Sequence, residues 1–519
     1  MKTKRITALL AAMLMGISVV GCGNNATSND NPTTSDQQEN TDTQSEEAGE
    51  IDFDEDPYEV AIQVVILPGQ TVEDEAEIEA AINEITLSAI NCTVDIQYVW
   101  INEIANKTSL GVASDEKLDI LHVATVNKLS TLVGSEILYD MNEGNLLQNR
   151  GKQLIEIFGD YIDAGNVNGQ QLAVPAQVYM ASQCAFYYNK TLTDLLGITV
   201  PEQCSVDNLE QLLEEIHKGN PDVMTSFVGQ GTTNLMPWMM NCEGFGSNFS
   251  YGGILDFMNS TKIENIYATD AFKDYCLRMY HWRQEGLLQR DATDTSAPQD
   301  YFNAGQLAVT LDIYTPAEYA SVAASLAAND IEIGCATLDT PAVTNSGVTE
   351  FMWGIASNSK RPDKAMDFLN FLYSNADVAN LLMYGIEGKD YTKVEGQDNV
   401  VSRTGTYSPD FYKGGDARQM FICEPNDENY IEECDALENS AEKSPIIGYV
   451  FSDEDYQTEA GLISNVINEY LPTLQNGMFD SEDAVLESID EFVEALESAG
   501  INDVIAGNQE QLDIFMASK

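Results

Sequence analysis

Tyr58-Glu-Val-Ala-Ile-Gln-Val-Val-Ile-Leu-Pro-Gly69 is an apolar run closed by a Pro-Gly pair, and the stretch 73–90 behind it carries Ile78, Ala81, Ile82, Ile85 and Leu87 at helical spacing. The pattern predicts strand, turn and helix. Cys92 to Trp100 then alternates Val94, Ile96 and Tyr98 with polar residues, and a helical stretch at Ile104 to Ala113 leads to a third strand at Leu118 to Ala124. This β-α-β-α-β rhythm implies an α/β sheet.

Towards the C-terminus a second block opens after Gly169-Gln-Gln-Leu-Ala-Val-Pro175. It runs through Phe186-Tyr-Tyr-Asn-Lys190, a predicted helix at Val206 to His217, a Gly-, Met- and Trp-rich region from Met224 to Gly253, and a long helix at Asp270 to Glu285. Gln306 to Leu311 reads as a strand leading into a helix at Pro316 to Ala328. Gly347 to Ala356 passes into a helix at Pro362 to Ser374, where Pro362 suits a helix start. From Ser444 onward the chain reads as mostly helical, and no repeat of 20 to 50 residues is visible.

Towards the N-terminus, Lys2, Lys4 and Arg5 precede the apolar stretch Ile6 to Val20, the pattern of a secretory signal. Val19-Val20-Gly21-Cys22 resembles the bacterial lipoprotein box, which implies removal of 1–21 and acylation of Cys22. Gly23 to Pro57 holds eleven acidic residues and no basic one. So polar a stretch has too few apolar side chains to offset ordering entropy, and 22–57 is expected to be a disordered acidic linker.

The chain has 519 residues, 44% of them hydrophobic, which is long enough for two or three domains. Its 25 Lys and Arg face 84 Asp and Glu, a net charge of −59 that repels phosphate backbones and anionic bilayers. Nucleic acid is excluded as a partner. His122, His217 and His281 lie far apart and no Cys-x-x-Cys occurs, so no metal and no cofactor is expected. Beyond residue 21 no apolar run reaches bilayer-crossing length. Besides Cys22 there are cysteines at 92, 184, 204, 242, 276, 335, 423 and 434; most read as buried free thiols, with Cys423 and Cys434 as the most plausible bridge.

Several segments resemble the extracellular solute-binding lipoproteins of ABC importers, in the maltose-binding-like family 1 branch. Gln171-Leu-Ala-Val-Pro175 followed by Tyr187-Tyr-Asn-Lys190 resembles the family's first crossing between lobes, and Tyr301-Phe-Asn-Ala-Gly-Gln-Leu-Ala-Val309 its turn into a lobe strand. Trp353-Gly-Ile-Ala-Ser-Asn-Ser-Lys-Arg-Pro-Asp-Lys-Ala-Met-Asp-Phe-Leu369 resembles the return crossing with its helix. Gly385-Ile-Glu-Gly-Lys-Asp-Tyr391 and Ser444-Pro-Ile-Ile-Gly-Tyr-Val-Phe451 are similar to a subset with a distinctive C-terminal region.

The resemblance implies an α/β, periplasmic-binding-protein-like type II fold: two α/β lobes joined by a hinge, with a helical C-terminal region. The first lobe is expected at 58–173 plus 355–435 and the second at 176–350 plus 440–519. Cleft positions of the family fall on Gln70, Thr125, Asn127, Tyr179, Trp238, Asp312, Tyr314 and Trp353. Trp100, Trp282 and His122 read as packing. The implied protein is a monomeric, non-catalytic receptor, lipid-anchored at the outer face of the cytoplasmic membrane. It would capture a sugar or oligosaccharide and deliver it to an ABC permease. Aromatic plates suit the C–H faces of sugars, and carboxylates or amides suit their hydroxyls.

Two other readings stay open. One is a receptor for peptides or another non-sugar solute on the same fold. The other is a surface-anchored glycoside hydrolase using two carboxylates about 5 to 10 Å apart, although no residue pair marks itself out and neither a phosphate loop nor a Gly-x-Ser-x-Gly elbow is present.

Overall fold

Strand β1 (Tyr58–Ile66) is buried without interruption from Val60 onward, as a parallel strand covered on both faces requires. The computed structural model describes residues 49–124, 126–226, 236–288, 298–405, 407–409 and 414–519, with the side chains of Trp238, Pro298 and Gln299 outside that description. Helix α1 (Glu75–Ile90) returns antiparallel to the strand and buries Ile78, Ile82, Thr86 and Ile90, one residue every four, as one stripe. Next come β2 (Cys92–Trp100), α2 (Ile104–Ala113), β3 (Ile120–Val123) and the short β4 (Val174–Pro175).

The chain then enters a second α/β region with β5 (Gln183–Asn189), α3 (Val206–Gly219), α4 (Asp270–Gln284), β6 (Val309–Tyr314), α5 (Pro316–Ala327) and β7 (Ile333–Thr337). Helix α3 starts at a capping box between Ser205 and Asn208 and buries Leu209, Leu212, Leu213 and Ile216. A short β8 (Ala342–Val343) precedes β9 (Met352–Ile355), which returns to the first sheet, and α6 (Pro362–Ser374) follows. Helix α7 (Tyr430–Ser440) and β10 (Glu442–Lys443) lead to the terminal helices α8 (Gln457–Gln475), α9 (Glu482–Ser498) and α10 (Ile501–Ser518).

The first sheet has the order β2-β1-β3-β9-β4 and the second β6-β5-β7. Each belongs to its own apolar core. The first core gathers Val60, Ile62, Leu121, Trp353 and Phe368, while the second gathers Phe186, Trp282 and Val309 with Ile463, Phe492 and Val504 of the terminal helices. Helices α8 and α9 pack on each other and on α4, so the C-terminal region completes the second core. Between the lobes the three crossing segments touch: Ser182 pairs with Ala342, and β8 runs parallel to β10 with Ala342 opposite Glu442.

Three expectations are corrected. The strand expected at Gln306 to Leu311 forms at Val309–Tyr314, because Gly305 and Gln306 still bond back to Phe302 and Tyr301 in the preceding turn, while pairing with β5 begins at Val309 opposite Tyr188. The acidic segment expected to be disordered through Pro57 is docked at its end: Asn91 Nδ2 donates to the Asp52 and Glu55 carbonyls, and Glu55 pairs with Arg361 and Lys364. Those cations are distant in sequence, so composition alone could not reveal them. Cys423 and Cys434 are free thiols, like the other six described cysteines; Cys434 is buried on α7 and Cys423 ends a short strand.

Candidate functional site

Parallel strands β1, β2 and β3 run towards one edge of the first sheet, with Ile66 opposite Trp100 and Ile62 opposite Ile120. β4 runs towards that edge and β9 away from it, since Met352 lies opposite both Pro175 and Val123. Both the departure after Pro175 and the return before Met352 therefore leave from the carboxyl edge. In the second sheet β5 starts at the crossing, and antiparallel β6 and β7 end beside its start, with Tyr314 opposite Gln183 and Thr337 opposite Ala185. The carboxyl ends of β1, β2, β3, β6 and β7 thus converge on the crossings, the place where open α/β sheets hold ligands.

On the first lobe, the Gln70 side chain accepts the Leu67 N–H at 2.7 Å and closes the turn after β1. Asn127 is 2% exposed; its side chain donates to the His122 carbonyl at 3.0 Å and fixes the turn after β3. Thr125 lies outside the described residues. On the first crossing the half-buried Tyr179 donates its hydroxyl to Asp435 of α7 at 2.8 Å. On α7 the Glu438 carboxylate, one turn further, accepts the N–H groups of Met180 and Ala181 at 3.0 and 2.8 Å.

On the second lobe, Asp312 and Tyr314 occupy the last half of β6. Asp312 accepts the N–H of its neighbour Ile313 at 2.8 Å, and burial pushes its carboxyl above the usual carboxylate range. Tyr314 lies with its ring centroid 6.3 Å from that of Tyr319. Trp238 falls in the short helix Met236–Met240, and its side chain is outside the described residues.

Trp353 is displaced from the expected role. It is 0% exposed, stacks on His122 at 4.5 Å and donates its indole N–H to the Tyr373 hydroxyl at 3.1 Å. Tyr373 in turn donates to the Ala176 carbonyl, so this aromatic pair supports the first crossing from inside the core. The reverse holds for Trp100, expected as packing. It is 39% exposed at the carboxyl end of β2, because β2 is the outermost strand and its last residue has a neighbour on one side only.

Three residues escaped the sequence reading: Glu318 and Tyr319 on α5, and Glu433 on α7. Thr315 caps α5 by accepting the Glu318 N–H at 3.1 Å, and Pro316 occupies the first turn. That cap sets Glu318 and Tyr319 immediately beyond the end of β6. Burial raises the Glu318 carboxyl, and the nearby Asp312 charge raises it further. Glu433 of α7 is close enough to act on both Tyr314 and Tyr319. The Thr-Pro-x-Glu cap after an apolar run was the signal available in the sequence.

Half-exposed rings beside carboxylates can stack on C–H faces and accept hydroxyls. Burial pushes the carboxyls of both Asp312 and Glu318 above the usual carboxylate range. Among the described residues no group of three His, Cys, Asp or Glu side chains is placed to hold a metal ion, and no helix is long and apolar enough to cross a membrane.

Residues 137–379 match the family model described as bacterial extracellular solute-binding protein, and 445–517 match a domain of unknown function, DUF3502. The chain is 27% identical over 460 residues, 85% of its length and 88% of the relative's, to a carbohydrate ABC transporter substrate-binding protein of Streptococcus pneumoniae serotype 4. It is similar to the crystal structure of the N-glycan transport solute-binding protein NgtS of Streptococcus pneumoniae, with TM-score 0.74, 24% identity and coverage of 88% of this chain and 99% of that one. For NgtS in complex with Man5GlcNAc the values are 0.63, 25%, 89% and 99%. The resemblance to extracellular solute-binding proteins of ABC importers is borne out, and so is the type II fold of two α/β lobes with a helical C-terminal region.

Proposed function

We propose that this chain, a relative of the extracellular solute-binding proteins that serve ABC importers, captures a neutral oligosaccharide between its lobes and delivers it to a membrane permease. The observation that carries the reading is the convergence of strand ends on the crossings. There the second lobe presents Asp312, Tyr314, Glu318 and Tyr319, and the first lobe presents the exposed ring of Trp100. The relative named for carbohydrate transport and the neighbour solved with Man5GlcNAc support a sugar rather than a peptide. Both are named as binding proteins, which supports capture without turnover.

Gln70, Asn127 and Tyr179 frame the same edge, with Thr125 and Trp238 as further cleft positions outside the described side chains. Cys22 is the lipid attachment point, and it holds a monomeric receptor at the outer face of the cytoplasmic membrane.

Calorimetric titration of the purified protein with Man5GlcNAc, linear malto-oligosaccharides and tripeptides tests this reading. Binding of at least one saccharide, without its hydrolysis over hours, is the expected result. Binding of peptides alone, or release of reducing sugar, overturns it. Mass spectrometry of the membrane-extracted protein tests the anchor, with an acylated Cys22 at the N-terminus expected.

A further inference from the structure

Away from the strand ends, a cavity of about 920 Å³ opens between the first lobe and the terminal helix. It lies on the β4 side of the first sheet, at the opposite edge from Trp100: the turn 159–165 that forms one wall packs on β4, with Leu172 N–H bonded to the Gly165 carbonyl. One wall is 160–169, the other is the last two turns of α10, and the floor is 447–450. Gly448 lets the walls converge. At φ +89° it adopts a conformation L side chains avoid, and a Cβ there would meet Ala164 Cα of the first lobe at 3.1 Å and Phe515 of α10 at 3.7 Å.

The lining matches one ligand chemistry. Tyr161 and Phe515 present partly exposed rings from opposite walls, and Ile514 is 66% exposed on α10. Asn168, Gln511 and Ser518 supply amides and a hydroxyl around these apolar surfaces. Lys443 sits 4.4 Å from the Tyr161 ring centre and Lys519 sits 4.8 Å from that of Phe515, while Asp160 and Asp163 stand on the rim, so neither sign of charge dominates. The volume falls in the range of roughly 300 to 1,000 Å³ usual for small-ligand sites. Partly exposed rings beside amides, a hydroxyl and charged groups of both signs suit a ligand with C–H faces and a rim of hydroxyls.

We infer that this groove is a second saccharide-binding site, separate from the inter-lobe cleft, and that the terminal helix matched by the domain of unknown function supplies one of its walls. The class of ligand rests on the carbohydrate reading proposed above; the position and the pairing of walls do not. A saccharide here touches the first lobe and α10 together, so it joins the two halves of the molecule.

The test is calorimetric titration of the whole protein with mannotriose and with maltotriose, repeated on S518W and Y314A. Ser518 is exposed at the end of α10, so the tryptophan fills the groove without entering a core. The wild type is expected to show two binding events. S518W should weaken one of them at least about tenfold, a change of roughly 1.4 kcal/mol, and Y314A should weaken the other. A single event that Y314A abolishes and S518W leaves unchanged overturns the second site and keeps the cleft. A single event with the opposite response keeps the groove and removes the cleft reading. The absence of binding by either saccharide overturns both. An unchanged melting temperature of S518W shows that the lost event reflects the groove rather than folding.

Discussion

The Lys364 ammonium is 1% exposed and lies 2.7 Å from Glu55 Oε1, tying helix α6 of the first lobe to the segment that leads into β1. Arg361 joins the same carboxylate at 2.9 Å. Hydrogen bonds from both cations hold the Glu55 carboxyl down at about 2, against its ordinary 4.5.

Glu55→Gln therefore leaves a buried ammonium without a counter-charge, and it should lower stability by about 2 kcal/mol, part of the loss being offset by remaining solvent access. Because the folded value is depressed, this contribution is present above pH 4.5 and disappears as the pH falls towards 2. Urea unfolding of both proteins across that window should show the two midpoints converging in acid. The double variant Glu55→Gln with Lys364→Met should recover most of the loss.

Asp339 carries the opposite sign. Burial pushes its carboxyl up to about 6, although its side chain accepts the Cys184 N–H at 2.8 Å. The folded state therefore binds more protons than the unfolded one between about pH 4 and 6, and the ionised form is a liability above that range. Asp339→Asn keeps an acceptor for Cys184. It should be more stable than the wild type by about 1 kcal/mol at pH 7 after allowance for partial exposure, with the advantage gone by pH 4 in thermal melts.

Glu438→Ala removes the acceptor of two crossing N–H groups. The expected loss is about 1 to 3 kcal/mol, the usual penalty for buried donors left unpaired. Saccharide affinity should fall as well, because Tyr179 and the first crossing lose their support; chemical denaturation and calorimetry on one preparation read both. Glu438→Gln, which retains one acceptor oxygen, should fall between wild type and alanine.

At the cleft, Tyr319→Ala should weaken saccharide binding by about 1 kcal/mol, the scale of one ring contact, with little change in melting temperature. Trp353→Phe should do the reverse. It removes the donor to Tyr373 and leaves affinity close to wild type. Equal effects of both variants on affinity would sink the assignment of these two aromatics.

Much of the first lobe was legible because its signals are local. The alternation of Val94, Ile96 and Tyr98 places β2 at Cys92–Trp100, and Pro362 marks the start of α6. The candidate wall on the second lobe was half legible: Asp312 and Tyr314 follow from the strand and from the family's pattern, but the offset of that strand by three residues did not, since only pairing with β5 selects among the apolar registers. The two tryptophans exchanged roles for a related reason. Periodicity says that a ring lies on a strand, and sheet order says whether that strand is central, as β9 is, or outermost, as β2 is.

By itself the sequence determined the α/β class, the net charge of −59 and the resemblance to solute-binding proteins, because period, charge and short motifs are properties of neighbouring residues. Only the tertiary structure decided that Lys364 meets Glu55, that three crossings share one hinge, and that the terminal helix forms a groove with the first lobe. Each of these is a contact across hundreds of residues, selected by how two cores pack rather than by any local preference along the chain.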